Sequence, residues 1–184
     1  MAQLCILGIS GSLRKDSYNT AALRAARELG PPELELEILV TPALPIYNAD
    51  VQAQGIPVEV QALGEKIRAA DGLLFATPEY NYSLPGGLKN MIDWVSRLPN
   101  QPFAGKPAAL MGASPGATGT ARAQYHLRQT GVFLDLRFLN KPEVMIANAA
   151  ERFDAQGRLT HEPTREAIGR LMVALRDWVQ LHRR

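Results

Sequence analysis

Between Gly11 and Asn19 the chain reads Gly-Ser-Leu-Arg-Lys-Asp-Ser-Tyr-Asn. Ser12, Ser17 and Tyr18 offer hydroxyls, Asn19 a carboxamide and Arg14 a guanidinium. Such a set suits an anion. Hydroxyls and amides donate neutral hydrogen bonds, and an arginine adds a forked, charge-assisted contact to phosphate oxygens. One arginine among neutral donors matches a monophosphate better than a triphosphate with its magnesium. The strings that mark larger nucleotides are missing. No Gly-x-x-x-x-Gly-Lys-Ser/Thr occurs, and the spacing from Gly8 to Gly11 breaks the Gly-x-Gly-x-x-Gly pattern.

Two further clusters carry chemistry. Pro78-Glu79-Tyr80-Asn81-Tyr82-Ser83-Leu84-Pro85-Gly86 places two tyrosines and an asparagine between prolines. It reads as a rigid, partly aromatic ledge that could line a planar heterocycle. Gly112-Ala-Ser-Pro-Gly116 matches the Gly-x-Ser-x-Gly of a hydrolase nucleophile elbow, and Asp135 or Asp154 followed by His161 would complete a triad in order. Pro115 argues against it. The residue after the nucleophile must donate its backbone N–H to the oxyanion, and proline has none. Ser114 and Gly116 are better read as close contacts to a flat ligand. His126, His161 and His182 lie in separate segments without metal-ligand spacing, so no metal site is expected.

These loops must be held by regular elements. Apolar runs at Leu4–Ile9, Leu34–Leu39, Gly72–Thr77, Ala108–Gly112 and Val144–Ala147 read as strands. Helical periodicity appears at Ala22, Ala25, Ala26 and Leu29, at Leu88, Met91, Ile92 and Val95, and at Ile168, Leu171, Met172 and Leu175. Weaker helical patterns span Val58–Ala70 and Thr120–Leu134. The alternation predicts an α/β fold: a five-stranded parallel sheet with helices on both faces. Ligands of such sheets sit beyond the carboxyl ends of the strands. There the loops after strands one, three and four converge, and these are the three rich segments. Thr41–Pro57 lacks periodicity and reads as an ordered excursion or lid beside the site.

The 184 residues suit one domain spanning 1–184. Apolar residues make up 46% and charged residues 21%, as in ordinary globular chains, and the net charge is +2. Without a basic block, nucleic acid is not an expected partner. With no long apolar stretch, neither is a membrane, and a cytoplasmic location is expected. The one cysteine, Cys5, excludes an internal disulfide and reads as an inert core thiol.

Three strings together resemble the NADPH-dependent FMN reductase family, and within it the bacterial chromate and quinone reductases. They are Gly11 to Asn19, then Thr77-Pro-Glu-Tyr-Asn-Tyr-Ser-Leu-Pro-Gly-Gly-Leu-Lys-Asn-Met-Ile-Asp-Trp94, and Ala123-Gln-Tyr-His-Leu-Arg-Gln129. The resemblance implies a flavodoxin-like three-layer sandwich that binds FMN without a covalent bond. It implies electron transfer from NADPH or NADH to quinones, azo dyes, flavins or metal oxyanions such as chromate, by hydride transfer in a ping-pong order. By this resemblance Ser12, Arg14, Ser17, Tyr18 and Asn19 hold the phosphate. Pro78, Glu79, Tyr80, Asn81 and Tyr82 line the isoalloxazine, and Ser114 and Gly116 close its other edge. No side chain is required as a catalytic acid or base. Homodimers or homotetramers are implied, with Arg122, Tyr125 and Glu143 available for contacts across a subunit boundary. The alternative is a flavodoxin-like electron carrier that uses no NAD(P)H. Such a carrier would want an acidic docking surface, and the net charge of +2 is of the wrong sign.

Overall fold

The computed structural model describes residues 3–183. Six strands form one parallel sheet: β1 (Leu4–Ser10), β2 (Leu34–Val40), β3 (Gly72–Ala76), β4 (Pro107–Ala113), β5 (Arg137–Phe138) and β6 (Val144–Ile146). The order is β2-β1-β3-β4-β5, and β6 also pairs with β4. Six α-helices accompany it: α1 (Tyr18–Leu29), α2 (Ala49–Ala53), α3 (Val58–Ala69), α4 (Gly86–Val95), α5 (Ala121–Phe133) and α6 (Glu162–His182). The alanines of α1 and the leucines of α6 pack on one face of the sheet. Apolar residues of α3, α4 and α5 pack on the other. Every residue of β3 and β4 is buried. Strands covered on both faces need such continuous apolar runs, which is why they stood out in the sequence.

The expected five strand positions are present, but the fifth is divided. β5 pairs with the start of β4 (Pro107 with Arg137) and β6 with its end (Met111 with Val144). The intervening residues 139–143 include Pro142, which has no N–H to give to a ladder. The excursion from Thr41 to Pro57 is ordered and tied to α4. Trp94 Nε1–H donates to the Pro45 carbonyl at 2.8 Å, Asn90 donates to the same carbonyl at 3.0 Å, and the Tyr47 N–H donates to Asn90 Oδ1 at 2.8 Å. Trp94 is fully buried, and its ring meets Tyr47 edge-on. The excursion therefore reads as a fixed wall.

Cys5 departs from expectation. It is exposed, between buried Leu4 and Ile6. It sits at the lower end of β1, where residues alternate across the sheet and α3 ends before covering it.

One polar link joins the two halves of the sheet top. Asn19, in the first turn of α1, donates Nδ2–H to the Ala113 carbonyl at 2.9 Å and accepts the Ala113 N–H at 2.8 Å. Its side chain is buried. Asn19→Ala would leave a buried N–H and a buried carbonyl unpaired, at about 1–3 kcal/mol each. Urea unfolding of the flavin-free protein should show a loss of about 2–4 kcal/mol. A loss below about 0.5 kcal/mol, the size of an ordinary surface change, would contradict this role.

Candidate functional site

The site lies at the carboxyl ends of β1, β3 and β4. The chain leaves β1 toward β2 on one side and returns to β3 on the other, so the crevice opens between β1 and β3.

The first loop ends at Ser17, the cap of α1. Its Oγ accepts from the N–H groups of Asn19 at 3.2 Å and Thr20 at 3.3 Å. Ser12 is buried, and its Oγ accepts the Arg14 N–H at 3.3 Å. Among the described residues, the N–H groups of Leu13, Lys15, Asp16 and Ser17 have no protein acceptor. Among the described residues Arg14 has no carboxylate within 4.0 Å, and its guanidinium stands 5.7 Å from the centroid of the Tyr18 ring. A row of unsatisfied N–H groups, a helix start and an arginine without a carboxylate partner among the described residues could hold a phosphate. This donor set suits the monophosphate of FMN. Two of the residues in the string serve the fold first. Asn19's carboxamide is committed to Ala113 and its backbone N–H to Ser17 Oγ. Tyr18's ring packs on Phe153 at 5.2 Å and forms a wall of the pocket.

The second loop is a tight turn. Tyr80 and Ser83 exchange both backbone hydrogen bonds at 3.0 Å. The central residues Asn81 and Tyr82 are left-handed, with φ of 50° and 65°. Asparagine tolerates that region; a tyrosine there costs about 1–3 kcal/mol unless its surroundings hold it. They do. The Arg122 guanidinium lies 3.9 Å from the centroid of the Tyr82 ring, and Ser83 Oγ meets His126 Nδ1 at 2.9 Å. Both partners belong to the first turns of α5. The turn presents Tyr80 and Tyr82 to the surface, 52% and 67% exposed.

Glu79 proves to be the hinge of this arrangement. Its carboxylate is buried and accepts the N–H groups of Arg122 at 3.0 Å and Ala123 at 3.1 Å, so it caps α5 from a different loop. It also pairs with the Arg122 guanidinium at 3.2 Å. The side chain expected to line a ring is thus turned away from it, and only the backbone of Pro78 and Glu79 remains for that edge. α4 adds what the sequence reading passed over. It starts at Gly86 with no side-chain cap, and a Cβ on Gly86 would meet nothing within 4 Å. The paired glycines after Pro85 were the signal: they leave the first helical N–H groups bare beside Leu13.

The third loop has its own internal order. Ser114 Oγ accepts the Gly116 N–H at 3.1 Å, and Asn148 and Ala149 donate to the carbonyls of Gly116 and Ser114. Gly112 is required by packing. A Cβ there would lie 2.3 Å from the Thr77 carbonyl and 2.0 Å from Thr120 Oγ1. That crowding explains the glycine without a nucleophile elbow. His161 instead bonds Thr164 at the start of α6, and no hydrogen bond among the described residues joins it to Ser114. The triad is not assembled.

Tyr125 and Glu143, suggested as contacts to a neighbouring subunit, bond each other within one chain at 3.0 Å. The hydrogen bond from Lys141, together with that from Tyr125, holds the Glu143 carboxyl below the usual range. Arg122 likewise finds its carboxylate in Glu79 of the same chain.

With this geometry in place, known proteins provide a comparison. The profile of the family described as NADPH-dependent FMN reductase matches residues 4–151. A Pseudomonas aeruginosa protein named an NAD(P)H-dependent FMN reductase is 61% identical over 175 residues, covering 95% of each chain. The quinone reductase of Escherichia coli is 45% identical over 181 residues, covering 97% of this chain and 96% of its own. In structure, the flavoenzyme NAD(P)H:(acceptor) oxidoreductase of Paracoccus denitrificans superposes with a TM-score of 0.87 at 37% identity, covering 97% of this chain and 98% of that one. Near-complete coverage in both directions leaves no room for a different architecture around a shared motif. The chain belongs to the NADPH-dependent FMN reductase family.

Proposed function

We propose that this protein, as one flavodoxin-like domain, is an FMN-dependent NAD(P)H oxidoreductase that reduces small-molecule acceptors. Quinones and free flavins come first, because relatives covering nearly the whole chain are named for them. Azo dyes and metal oxyanions such as chromate are the wider set. The observation that carries the reading is the phosphate cradle of unpaired N–H groups and Arg14, opposite an exposed tyrosine turn. Bound there, FMN supplies the redox chemistry, taking hydride from NADPH or NADH and passing electrons to the acceptor.

The chain's own groups bind and orient. Ser12, Arg14 and the start of α1 hold the phosphate end. The backbone from Pro78 to Asn81, with Ser114 and Gly116, borders the ring. The left-handed turn leaves Tyr80 and Tyr82 exposed beside that ring edge. Donor and acceptor that use the same exposed ring face in turn give the ping-pong order. No acid or base is assigned, since the buried carboxylate of the second loop, Glu79, is committed to Arg122 and the start of α5.

A homodimer or homotetramer fits the same face. Leu13 and Ile46, 58% and 81% exposed, are with the two tyrosines large apolar side chains left to solvent by one chain. Light scattering at micromolar concentration should give at least twice the chain mass of 20.1 kDa; a monomer would refute the assembly. A cytoplasmic location belongs to this proposal. Among the described residues no helix is long and apolar enough to cross a membrane.

The flavin assignment is tested by titrating FMN and riboflavin into the apoprotein at one salt concentration. The two share a ring, and only FMN carries a phosphate. Arg14→Ala should weaken FMN binding about 10- to 150-fold, the worth of a charge-assisted hydrogen bond of about 1.5–3 kcal/mol. Riboflavin affinity should stay within about twofold, below about 0.5 kcal/mol. An equal loss for both flavins would place Arg14 in the fold or at the ring. Failure of the wild type to prefer FMN would reject the phosphate cradle.

A further inference from the structure

A polar groove begins where the phosphate cradle ends. It runs between the outer face of α1 and the turn at 154–157, with a volume of about 300 Å³, and a smaller cavity of about 110 Å³ continues it. Arg14, Ser17 and Tyr18 line its inner end, while Ala21, Arg24 and Gly157 are shared by both parts. Arg24 follows Ser17 by seven residues, about 10 Å along a helix rising 1.5 Å per residue. With a phosphate held by Arg14 and the start of α1, the Arg24 guanidinium remains for a second anion in the same groove.

The charges along this groove are unequal in availability. Among the described residues Arg24 has no carboxylate within 4.0 Å. The nearby acids are mostly engaged. Asp154 accepts the Arg158 N–H at 2.8 Å and its Nε–H at 2.7 Å, and also the Gln156 N–H. The backbone hydrogen bond from Arg158 is the main reason its carboxyl lies below the usual range. Glu28 pairs with Arg165 at 2.7 Å. Asp16 is the remaining acid on the rim, facing two unpaired arginines. The groove thus keeps a net positive character with its cations free. Its floor is low, formed by Ala21, and its far wall is a turn at Gly157 (φ 73°), where a Cβ would meet nothing within 4 Å.

We propose that this groove receives the adenosine end of NADPH, with Arg24 binding the 2′-phosphate and Gln156 meeting the adenosine's polar edge. It rests on the reading of the protein as an FMN-dependent NAD(P)H oxidoreductase, and adds to it a preference for the phosphorylated dinucleotide. NADPH differs from NADH only by that phosphate, so an unpaired arginine at a distance from the flavin's own phosphate is where discrimination would arise. The phosphate on Arg24 has two possible sources, FMN or the dinucleotide, and the titrations of the Arg24→Ala variant tell them apart.

The test uses FMN-loaded protein and adenosine 2′,5′-bisphosphate against 5′-AMP in calorimetric titrations. Wild type should bind the bisphosphate at least about tenfold more tightly, the worth of one charge-assisted contact. Arg24→Ala should abolish that preference, and Arg24→Lys should restore part of it. In turnover, the ratio of kcat/KM for NADPH over NADH should fall about tenfold in Arg24→Ala, through KM. No preference in the wild type, or a preference that survives Arg24→Ala, would overturn the proposal. So would a loss of FMN affinity in Arg24→Ala equal to that in Arg14→Ala, because Arg24 would then serve the flavin. Failure to take up flavin, or to reduce it with either dinucleotide, would instead overturn the oxidoreductase reading; the bisphosphate titration judges the groove separately.

Discussion

Asn19 sets the geometry on which the site depends. Its buried carboxamide forms two hydrogen bonds with one residue, Ala113, at the end of β4. A helix start and a strand end that are far apart in sequence are thereby held at a fixed separation. Burial makes the link strong, because neither partner can turn to water without opening the core. Glu79 does the same between the second loop and α5, with its carboxylate on two backbone N–H groups. Two buried polar side chains thus make one rigid rim out of three loops.

That rigidity divides the polar groups into two sets. Asn19 and Glu79 are spent internally, and the fold would suffer if they turned outward. The Arg14 guanidinium, the N–H groups of Leu13, Lys15, Asp16 and Ser17 and the first turn of α4 remain for a ligand. A binding site built this way loses little entropy on loading, since its donors are already aimed. The strained Tyr82 fits the same logic. Its left-handed backbone is tolerable because the Arg122 guanidinium covers the ring, and Arg122 is itself held by Glu79. Removing Glu79 would loosen the cap of α5, the arginine and the tyrosine turn together.

The parallel sheet was legible because β3 and β4 are buried throughout and their residues are apolar without interruption. The positions of the three loops followed from the alternation of strands and helices. The split of the fifth strand was not legible, since Arg137–Phe138 is too short to carry a period, and Pro142 interrupts the run. Exposure of Cys5 depended on where α3 ends, which no residue near Cys5 reports. Within the site, residue type located the polar groups but could not divide them. Asn19 and Glu79 looked like ligand contacts because their partners, Ala113 and the start of α5, are separated from them by 94 and 43 residues. Long-range pairing to backbone leaves no local signature. Arg24 was hidden for the opposite reason: one arginine on a helix face is ordinary until the turn at 154–157 is placed beside it.

The central claim is that these loops hold FMN in a form that NAD(P)H can reduce. Anaerobic stopped-flow mixing of the FMN-loaded protein with NADPH or NADH tests it most directly. The account predicts loss of the oxidised-flavin absorbance in a single turnover, complete before any acceptor is added, and its return when a quinone follows. Flavin that stays oxidised with both dinucleotides, while remaining reducible by dithionite, would contradict it and leave a flavin-binding protein without this activity.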